Sequence, residues 1–361
     1  MRAILRDRTG ESLPATDRWY LLALLVGICL LAQTGTPRPA VVGSLLGLLM
    51  LLGIGLRWRV EGWIVVALLA AGVVLRFAFV GSGFSDVLPV TGAAAERVLS
   101  GLNPYEGGYA NSSPPGAPFV YGPVALLWYL PFHADPRVLE LGVSLGITGL
   151  LALRGRPLGL AVFALSPALL TIAADGANDT SAGLLLLVAL VVAGIRPLLG
   201  GALLAVAVGF KLYAAAWLVP LVLWAGIPAV TGFGAATLAI WLPALLLWGP
   251  GPMIGSLGTA LGIHQTSYYS LAYVLESTLG QRLPQEAFER FRLVAGGATA
   301  LASAPFVRSH GSMILAGCLI YLATLFTGYW ATFSYFGAIA PIVCWHLDDW
   351  LGSGRAYNRP P

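Results

Sequence analysis

Apolar stretches follow one another along almost the whole of this sequence, and they constrain its fold more than any single motif does. Hydrophobic residues make up 58% of the 361 residues, charged residues only 10%, and the mean hydropathy is +0.82. Soluble domains carry about 25% charged residues. Unpaired backbone groups are too costly in lipid for open sheets or exposed loops, so a chain of this composition crosses the membrane as helices. The sequence therefore predicts an all-α, polytopic transmembrane protein.

The lengths of the apolar stretches predict about 12 crossings, since a helix needs about 17–25 mostly apolar residues to span a bilayer. Polar tails are expected at residues 1–18 and 348–361. Two additional helices fall within residues 19–59, and the main transmembrane module covers residues 60–347. The predicted crossings are residues 19–34, 40–56, 62–80, 138–153, 157–174, 180–195, 198–210, 212–227, 229–248, 287–306, 311–328 and 331–347.

The arginines orient these helices. An even number of crossings places both termini on one side, and the basic residues of short loops favour the cytoplasm. Counting residues 121–132 as a crossing would move Arg154 and Arg156 outside, so that stretch is predicted to be a short helix on the outer side. With both tails cytoplasmic, 12 of the 20 Lys and Arg residues lie inside: Arg2, Arg6, Arg8, Arg18, Arg57, Arg59, Arg154, Arg156, Arg196, Arg308, Arg355 and Arg359. These basic residues report orientation, and we expect no nucleic-acid partner.

The polar segments between the helices then share the extracytoplasmic face. The largest is the outer loop at residues 81–137, in which residues 90–99 predict a helix lying along the interface. A second outer loop covers residues 249–286. A short polar segment, DGAND, occupies residues 175–179, and Lys211 separates two apolar stretches on the same side. Because these unrelated features lie on one face, we expect them to form one site.

Asp86 is the candidate catalytic residue. Its carboxylate follows a long apolar span and precedes Val87 and Leu88. Ionisable residues next to or within spans are costly and are functional candidates by default. A carboxylate at this depth can act as a general base toward an incoming hydroxyl. The alternative is an aspartate that ends a helix and solvates the loop.

Two other positions are candidates for binding a phosphate group. Lys211 carries a compact positive charge suited to a phosphate oxygen, although a lysine at the end of a span can also extend to the interface without a ligand. His264 lies in the second outer loop and is a weaker candidate, since a single loop histidine is commonly structural. Asp175, Asn178 and Asp179 either cap the next helix or bind the hydroxyls of an acceptor sugar, and the sequence leaves both interpretations open.

Several segments together resemble a known family. A span containing Arg76, the loop Asp86, the segment AAAERVLSGLNPYE and the turn Tyr121-Gly122-Pro123 are similar to the first outer loop of GT-C glycosyltransferases, in particular bacterial polyprenol-phosphate-mannose-dependent mannosyltransferases. DGAND, GFKLYAAAWLVP and HQTSYYS follow in the expected order. The resemblance covers roughly residue 60 to the C-terminus. It departs in two places: the family has a doubled proline where this chain has Tyr121-Gly122-Pro123, and the family's Lys-x-Tyr-Pro motif is replaced by Lys211-Leu-Tyr-Ala.

The resemblance implies a GT-C-like fold and a glycosyl transfer in which Asp86 is the catalytic base and Lys211 lies near the lipid phosphate. The donor would be a polyprenyl-phosphate sugar, with mannose expected, and the acceptor an extracytoplasmic glycan or glycolipid. Direct displacement would invert the anomeric centre. Residues implied to bind the acceptor or assist are Asn103, Tyr105, Glu106, Tyr121, Asp175, Asn178 and Asp179.

The spacing of the carboxylates pairs no two of them as metal ligands, so the sequence neither requires nor excludes a divalent cation. No cofactor is expected with certainty. Two other classes of function compete with the enzyme. A secondary transporter would carry charges near the bilayer midplane and two matching halves, and no matching half is apparent here. A non-catalytic assembly or flippase-like subunit would keep the fold without turnover.

Overall fold

The computed structural model describes residues 15–32, 60–81, 85–259, 266–282 and 284–351, and within them the protein is helical. No strand occurs in these ranges, which hold only an isolated antiparallel bridge between Tyr109 and Ala117. The all-α prediction is confirmed. The α-helices are α1 (Ala15–Ala32), α2 (Val60–Phe79), α3 (Val87–Leu99), α4 (Pro123–Tyr129), α5 (Pro136–Leu153), α6 (Pro157–Leu165), α7 (Pro167–Asp175), α8 (Asp179–Ala193), α9 (Pro197–Phe210), α10 (Leu218–Ala225), α11 (Ile227–Trp248), α12 (Pro250–Thr259), α13 (Leu271–Leu279), α14 (Gln285–Ser303), α15 (His310–Phe326) and α16 (Tyr335–Trp350).

Three of these helices are long and apolar enough to cross a membrane, and a bent pair raises the number to four. The three fall at Gly62–Phe79, Pro136–Leu153 and Ile227–Trp248. Five further apolar helical stretches among the described residues are shorter than a full span. The predicted number of about 12 crossings stays a prediction, and the expected crossing at residues 40–56 lies outside the described residues.

The predicted crossing at residues 157–174 is not one straight helix. It is the bent pair of α6 and α7, whose axes differ by 56° at Ser166. Pro167 causes the break, because proline has no backbone N–H and its ring disfavours helical continuation. The carbonyl of Phe163, four residues earlier, thereby loses its helical donor.

A buried arginine supplies the missing donors at this break. Arg76, on α2, is 1% exposed. Its Nη2 donates to the Phe163 carbonyl at 2.9 Å, and its Nη1 donates to the Ala164 carbonyl at 3.1 Å. Its Nε donates to the Ser144 hydroxyl at 2.6 Å. A cation in an apolar span is thus satisfied by backbone carbonyls that the proline leaves free.

The chain divides into two compact units. The first comprises Met1–Phe84, Glu140–Asp175 and Ala340–Pro361, and in its described part α6 packs against α1 and α2. The second comprises Ser85–Leu139 and Gly176–Ile339, in which α9 packs between α8 and α11, and α14 packs along α15. The second unit contains all of the following residues, which are described below: Asp86, Tyr121, Asn178, Asp179, Lys211, Tyr213 and Tyr335.

The polar segments carry more helix than the sequence indicated. The stretch predicted as an interfacial helix at residues 90–99 is α3, which begins earlier, after Asp86. Residues 121–132 contain α4 followed by a 3₁₀ turn at Leu130–Phe132. The second outer loop, predicted only as a polar interval at residues 249–286, contains α12 and α13. Its Ser270 caps α13 by accepting from the Tyr273 N–H, a local signal that was present in the sequence.

Candidate functional site

A buried ion pair lies within the second unit. The Lys211 ammonium donates to Asp179 Oδ1 at 2.8 Å, with the two side chains 10% and 1% exposed. Lys211 is the only lysine in the sequence. It follows the last residue of α9 in an extended conformation (φ −143°, ψ 121°), which turns its side chain out of the helical path. Taking a lone charge out of water costs several kcal/mol per ion, so the pairing is what allows both groups to be buried.

Three tyrosines surround the ammonium and define, with Asp179, what we call the lysine cage. The Lys211 Nζ lies 5.4 Å from the ring centre of Tyr121, 5.1 Å from that of Tyr213 and 5.9 Å from that of Tyr335. Each distance is within the range at which an aromatic face attracts a cation. The Tyr213 hydroxyl also donates to Asp179 Oδ1, at 2.5 Å, so one carboxylate oxygen accepts from both the ammonium and the phenol.

A second layer of aromatic residues holds the cage. The Tyr321 ring meets the Tyr213 ring edge-on at 5.2 Å, and its hydroxyl donates to the Tyr335 backbone carbonyl at 2.8 Å. Trp217, which is fully buried, packs on Tyr321 at 5.5 Å and donates from its indole N–H to the Ile314 carbonyl. These contacts fix the tyrosines from two directions, so the cage is preorganised.

The turn at Tyr121 and Gly122 approaches the end of α9 more closely than any other residue type would allow. The Gly122 N–H donates to the Phe210 carbonyl at 3.4 Å. A Cβ at Gly122 would lie 2.0 Å from the carbonyl oxygen of Gly209. This contact brings Tyr121 beside Lys211, and it gives a physical reason for a glycine at this position.

Asp86 lies at the start of α3 but does not cap it. Its side chain, partly exposed, accepts from the backbone N–H of Ser113 at 2.6 Å through Oδ2. Burial raises the pKa of Tyr121 well above its usual value, and the negative charges of Asp179 and Asp86 raise that pKa further. Both carboxylates therefore act on the same phenol. The structure brings Asp86, Tyr121, Asp179 and Lys211 into one neighbourhood.

Other residues that the sequence suggested have structural roles in this loop. The Asn103 amide donates to the Trp248 carbonyl at 2.8 Å and accepts from the Tyr105 N–H at 3.0 Å. Tyr105 is buried, and its hydroxyl donates to the Tyr121 carbonyl at 3.0 Å. Both residues hold the backbone of the loop. Glu106 is exposed and lies outside this set of contacts.

The two polar residues at the end of the segment DGAND, Asn178 and Asp179, have different surroundings. Asp175 ends α7, and its side chain lies outside the described part of the structure. Asn178 occupies the N-cap position of α8 but makes no side-chain capping bond. It is fully buried, and neither its Oδ1 nor its Nδ2 has a hydrogen-bond partner among the described residues. Asn178 therefore stands at the predicted cap position without making the capping bond, and Asp179 is engaged by Lys211 and Tyr213.

Sequence reasoning missed two residues of the cage. Tyr335 is not among the candidates that the sequence suggests, and Tyr213 enters there only within the segment GFKLYAAAWLVP. The signal for Tyr213 was its position two residues after the single lysine, where the helix breaks. His264, the other phosphate candidate, lies outside the described residues. Within the described ranges no three His, Cys, Asp or Glu side chains come together as metal ligands.

Comparison of the chain with protein-family models, with curated proteins and with solved structures finds no match in any of the three. The chemistry of the site itself is therefore the basis for its interpretation.

Proposed function

We propose that this protein is an integral-membrane glycosyltransferase that transfers a sugar, with mannose the first expectation, from a polyprenyl-phosphate donor to an extracytoplasmic glycan or glycolipid. The observation that supports this most is the joint proximity of a loop carboxylate and a buried cation to one tyrosine. Lys211 lies 5.4 Å from the ring centre of Tyr121, and the charges of Asp179 and Asp86 both raise the pKa of that phenol. Transfer from a sugar phosphate needs a base for the acceptor and a cation for the leaving group, and these are such groups.

Asp86 is proposed as the general base. Its Oδ2 is fixed by the Ser113 N–H, which leaves Oδ1 to accept the proton of an acceptor hydroxyl. That hydroxyl oxygen attacks the anomeric carbon as the bond to the phosphate oxygen breaks. The hydroxyl proton goes to Asp86, and the bonding electrons leave with the polyprenyl phosphate. Attack opposite to the leaving group inverts the anomeric configuration.

Lys211 is proposed to stabilise the leaving phosphate. An ammonium has three N–H donors, and Lys211 uses one of them for Asp179. The other two are proposed to donate to oxygens of the phosphate. Asp179 then holds the cation in place and offsets the cost of its burial. His264 is proposed as an auxiliary phosphate ligand from the second outer loop.

The membrane setting fits a lipid-linked donor. Three to four described helices are long and apolar enough to span a bilayer. A polyprenyl chain would remain in the hydrocarbon while its sugar phosphate reaches the site from the side. We propose a multi-pass protein with about 12 crossings, both termini in the cytoplasm and the site on the outer face. The fold proposed for it is GT-C-like.

A secondary transporter is the second candidate, and the broken helix favours it to a degree. Broken spans in transporters expose backbone carbonyls to the transported ion. Here, however, the carbonyls of Phe163 and Ala164 are taken by Arg76 rather than left for a substrate. The break therefore has a structural explanation. A non-catalytic assembly or flippase-like subunit remains the alternative that an activity measurement addresses.

The test is transfer of radiolabelled mannose from polyprenyl-phosphate-mannose in membranes that overexpress the protein. Wild-type protein should transfer label to lipid or glycan, and Asp86→Asn should abolish the transfer while leaving the protein folded and able to bind the donor. Glu106→Gln is the matched control, since Glu106 is an exposed carboxylate of the same loop. Transfer that survives Asp86→Asn would remove Asp86 as the base. Absence of transfer with every polyprenyl-phosphate sugar tried would contradict the enzyme.

A further inference from the structure

The side-chain amide of Asn178 is buried without a hydrogen bond among the described residues. It is 0% exposed, and both its carbonyl oxygen and its amide nitrogen lack partners among the described residues. A buried polar group without a hydrogen bond destabilises the folded state, and most buried polar side-chain atoms have at least one partner. An amide with both ends unpaired therefore needs an explanation.

Neighbouring groups do not provide one. Asn178 stands at the N-cap of α8 with φ −89° and ψ 15°, and its side chain makes no bond to the first turn of that helix. Asp179, the next residue, is already committed, since its Oδ1 accepts from Lys211 and Tyr213. The amide thus lies directly beside the lysine cage in sequence, with its hydrogen-bonding capacity unused.

We infer that Asn178 binds hydroxyl groups of a sugar ring. Its side chain has both an unused donor, the amide N–H, and an unused acceptor, the carbonyl oxygen. A sugar hydroxyl both donates and accepts, so a ring with adjacent hydroxyls satisfies both ends of the amide. An ionised phosphate accepts only and would satisfy the nitrogen alone. A metal ion would use the oxygen alone, and a lipid chain would use neither.

This inference deepens the proposed function, on which it rests for the identity of the sugar. The shared chemistry is a pyranose, and it has two sources, the donor's sugar or the acceptor's. The charge of Lys211 is already offset by Asp179, the residue after Asn178, which suits an uncharged ring next to the phosphate. Asp86 and Lys211 would then act on the reacting bond, while Asn178 would hold the ring.

The direct experiment measures binding rather than turnover. Full-length protein in lipid nanodiscs is titrated with methyl α-mannoside, which represents a free glycoside acceptor, and with a short-chain polyprenyl-phosphate mannose, which represents the donor. Inorganic phosphate serves as a third probe. Asn178→Thr and Asn178→Val are the informative pair, because the two side chains have nearly the same shape and only threonine keeps a donor and an acceptor.

Wild-type protein should bind at least one mannose probe, and Asn178→Val should weaken that binding about tenfold or more. Asn178→Thr should bind more tightly than Asn178→Val. Loss confined to the free glycoside would identify the acceptor's ring, and loss confined to the phosphate-linked probe would identify the donor's. Phosphate binding should be equal in the two variants. Equal mannose binding by wild type, Thr and Val would overturn the inference, as would the absence of mannose binding by wild type.

A stability measurement separates ligand binding from a purely structural role. Asn178→Leu removes the unpaired amide, so the unliganded variant should unfold at the same or a higher temperature than wild type. The rise in unfolding temperature that the mannose probe gives to wild type should be lost in this variant. A large drop in unliganded stability would mean that the amide has an internal partner and would count against a ligand.

Failure of the inference and failure of the proposed function give different results. If wild type transfers mannose and Asn178→Val transfers it equally well with unchanged KM, the proposed glycosyl transfer is supported and the proposed sugar binding by Asn178 is contradicted. If wild type binds a mannose probe through Asn178 but transfers no sugar, the sugar-binding site is supported and the proposed glycosyl transfer is contradicted.

Discussion

Lys211 donates to Asp179 across 32 residues of sequence, and this contact joins the end of α9 to the start of α8 inside the second unit. Each charge offsets the cost of taking the other out of water. It also fixes the ammonium among three tyrosine rings. The pairing therefore governs stability and candidate chemistry together, and the two can be separated by mutation.

Removing one member of the pair should be costly. Asp179→Leu leaves a buried ammonium without a partner and should lower the free energy of unfolding by about 3–5 kcal/mol. Lys211→Met leaves a buried carboxylate and should have a similar effect. The double variant removes both charges and should recover most of the loss, which denaturation of the detergent-solubilised protein can measure. Strictly additive losses in the double variant would contradict a coupled pair.

The hydroxyl of Tyr213 should matter more than that of Tyr335. Tyr213→Phe removes the donor to Asp179 Oδ1 and should cost about 1.5–3 kcal/mol, the range for a hydrogen bond to a charged group. Tyr335→Phe keeps the ring beside Lys211 and should lower the stability less, because the hydroxyl of Tyr321 donates to the backbone carbonyl of Tyr335, which the substitution leaves in place. Thermal unfolding of the two variants gives the comparison. Equal losses would mean that the phenol–carboxylate bond contributes little.

A methyl group at Gly122 should separate the Tyr121 turn from α9. The added Cβ would lie 2.0 Å from the Gly209 carbonyl oxygen, so backbone must move. Gly122→Ala is expected to destabilise the protein by about 2 kcal/mol or more and to reduce sugar transfer, because Tyr121 would leave the lysine cage. Gly234→Ala is the matched control, since a Cβ there meets nothing within 4 Å and should leave both properties intact or slightly raise stability.

Arg76 should be essential to the broken helix rather than to chemistry. Arg76→Met leaves the carbonyls of Phe163 and Ala164 without their donor and should lower the free energy of unfolding by about 3 kcal/mol. Arg290→Gln removes an arginine whose side chain is 83% exposed and should change stability by less than about 1 kcal/mol. If Arg76→Met folds normally and loses transport or transfer instead, the structural role assigned to Arg76 is wrong.

Much of the helical architecture follows from local patterns in the sequence. Apolar stretches bounded by arginine, proline or glycine predict helices such as α2 and α11 within a few residues of their observed ends. The break at Pro167 was available from the same reasoning, because proline lacks the N–H that a continuous helix needs. The continuous apolar stretch at residues 157–174 led instead to the prediction of one straight crossing, because hydrophobicity indicates the length of a span and not whether the helix bends.

The site was less accessible to sequence reasoning because its contacts are long-range. Lys211 has no acidic neighbour in sequence, and its partner belongs to the segment DGAND on another helix. Asn178 and Asp179 have the residue types of a helix cap, yet tertiary contacts recruit one of them and burial isolates the other. Local propensity cannot distinguish these outcomes, because a cap and a ligand site favour the same side chains.

A single side-chain amine has a practical consequence for the study of this protein. Amine-selective acylating reagents react only with a neutral, accessible amine. Lys211 is the single lysine of the sequence, and it is buried and ion-paired. Incorporation of label at this one residue would therefore report how often the lysine cage opens to solvent. Mass spectrometry with and without a mannose probe would then measure how a ligand changes the rate at which Lys211 becomes exposed, and this requires no engineered reporter.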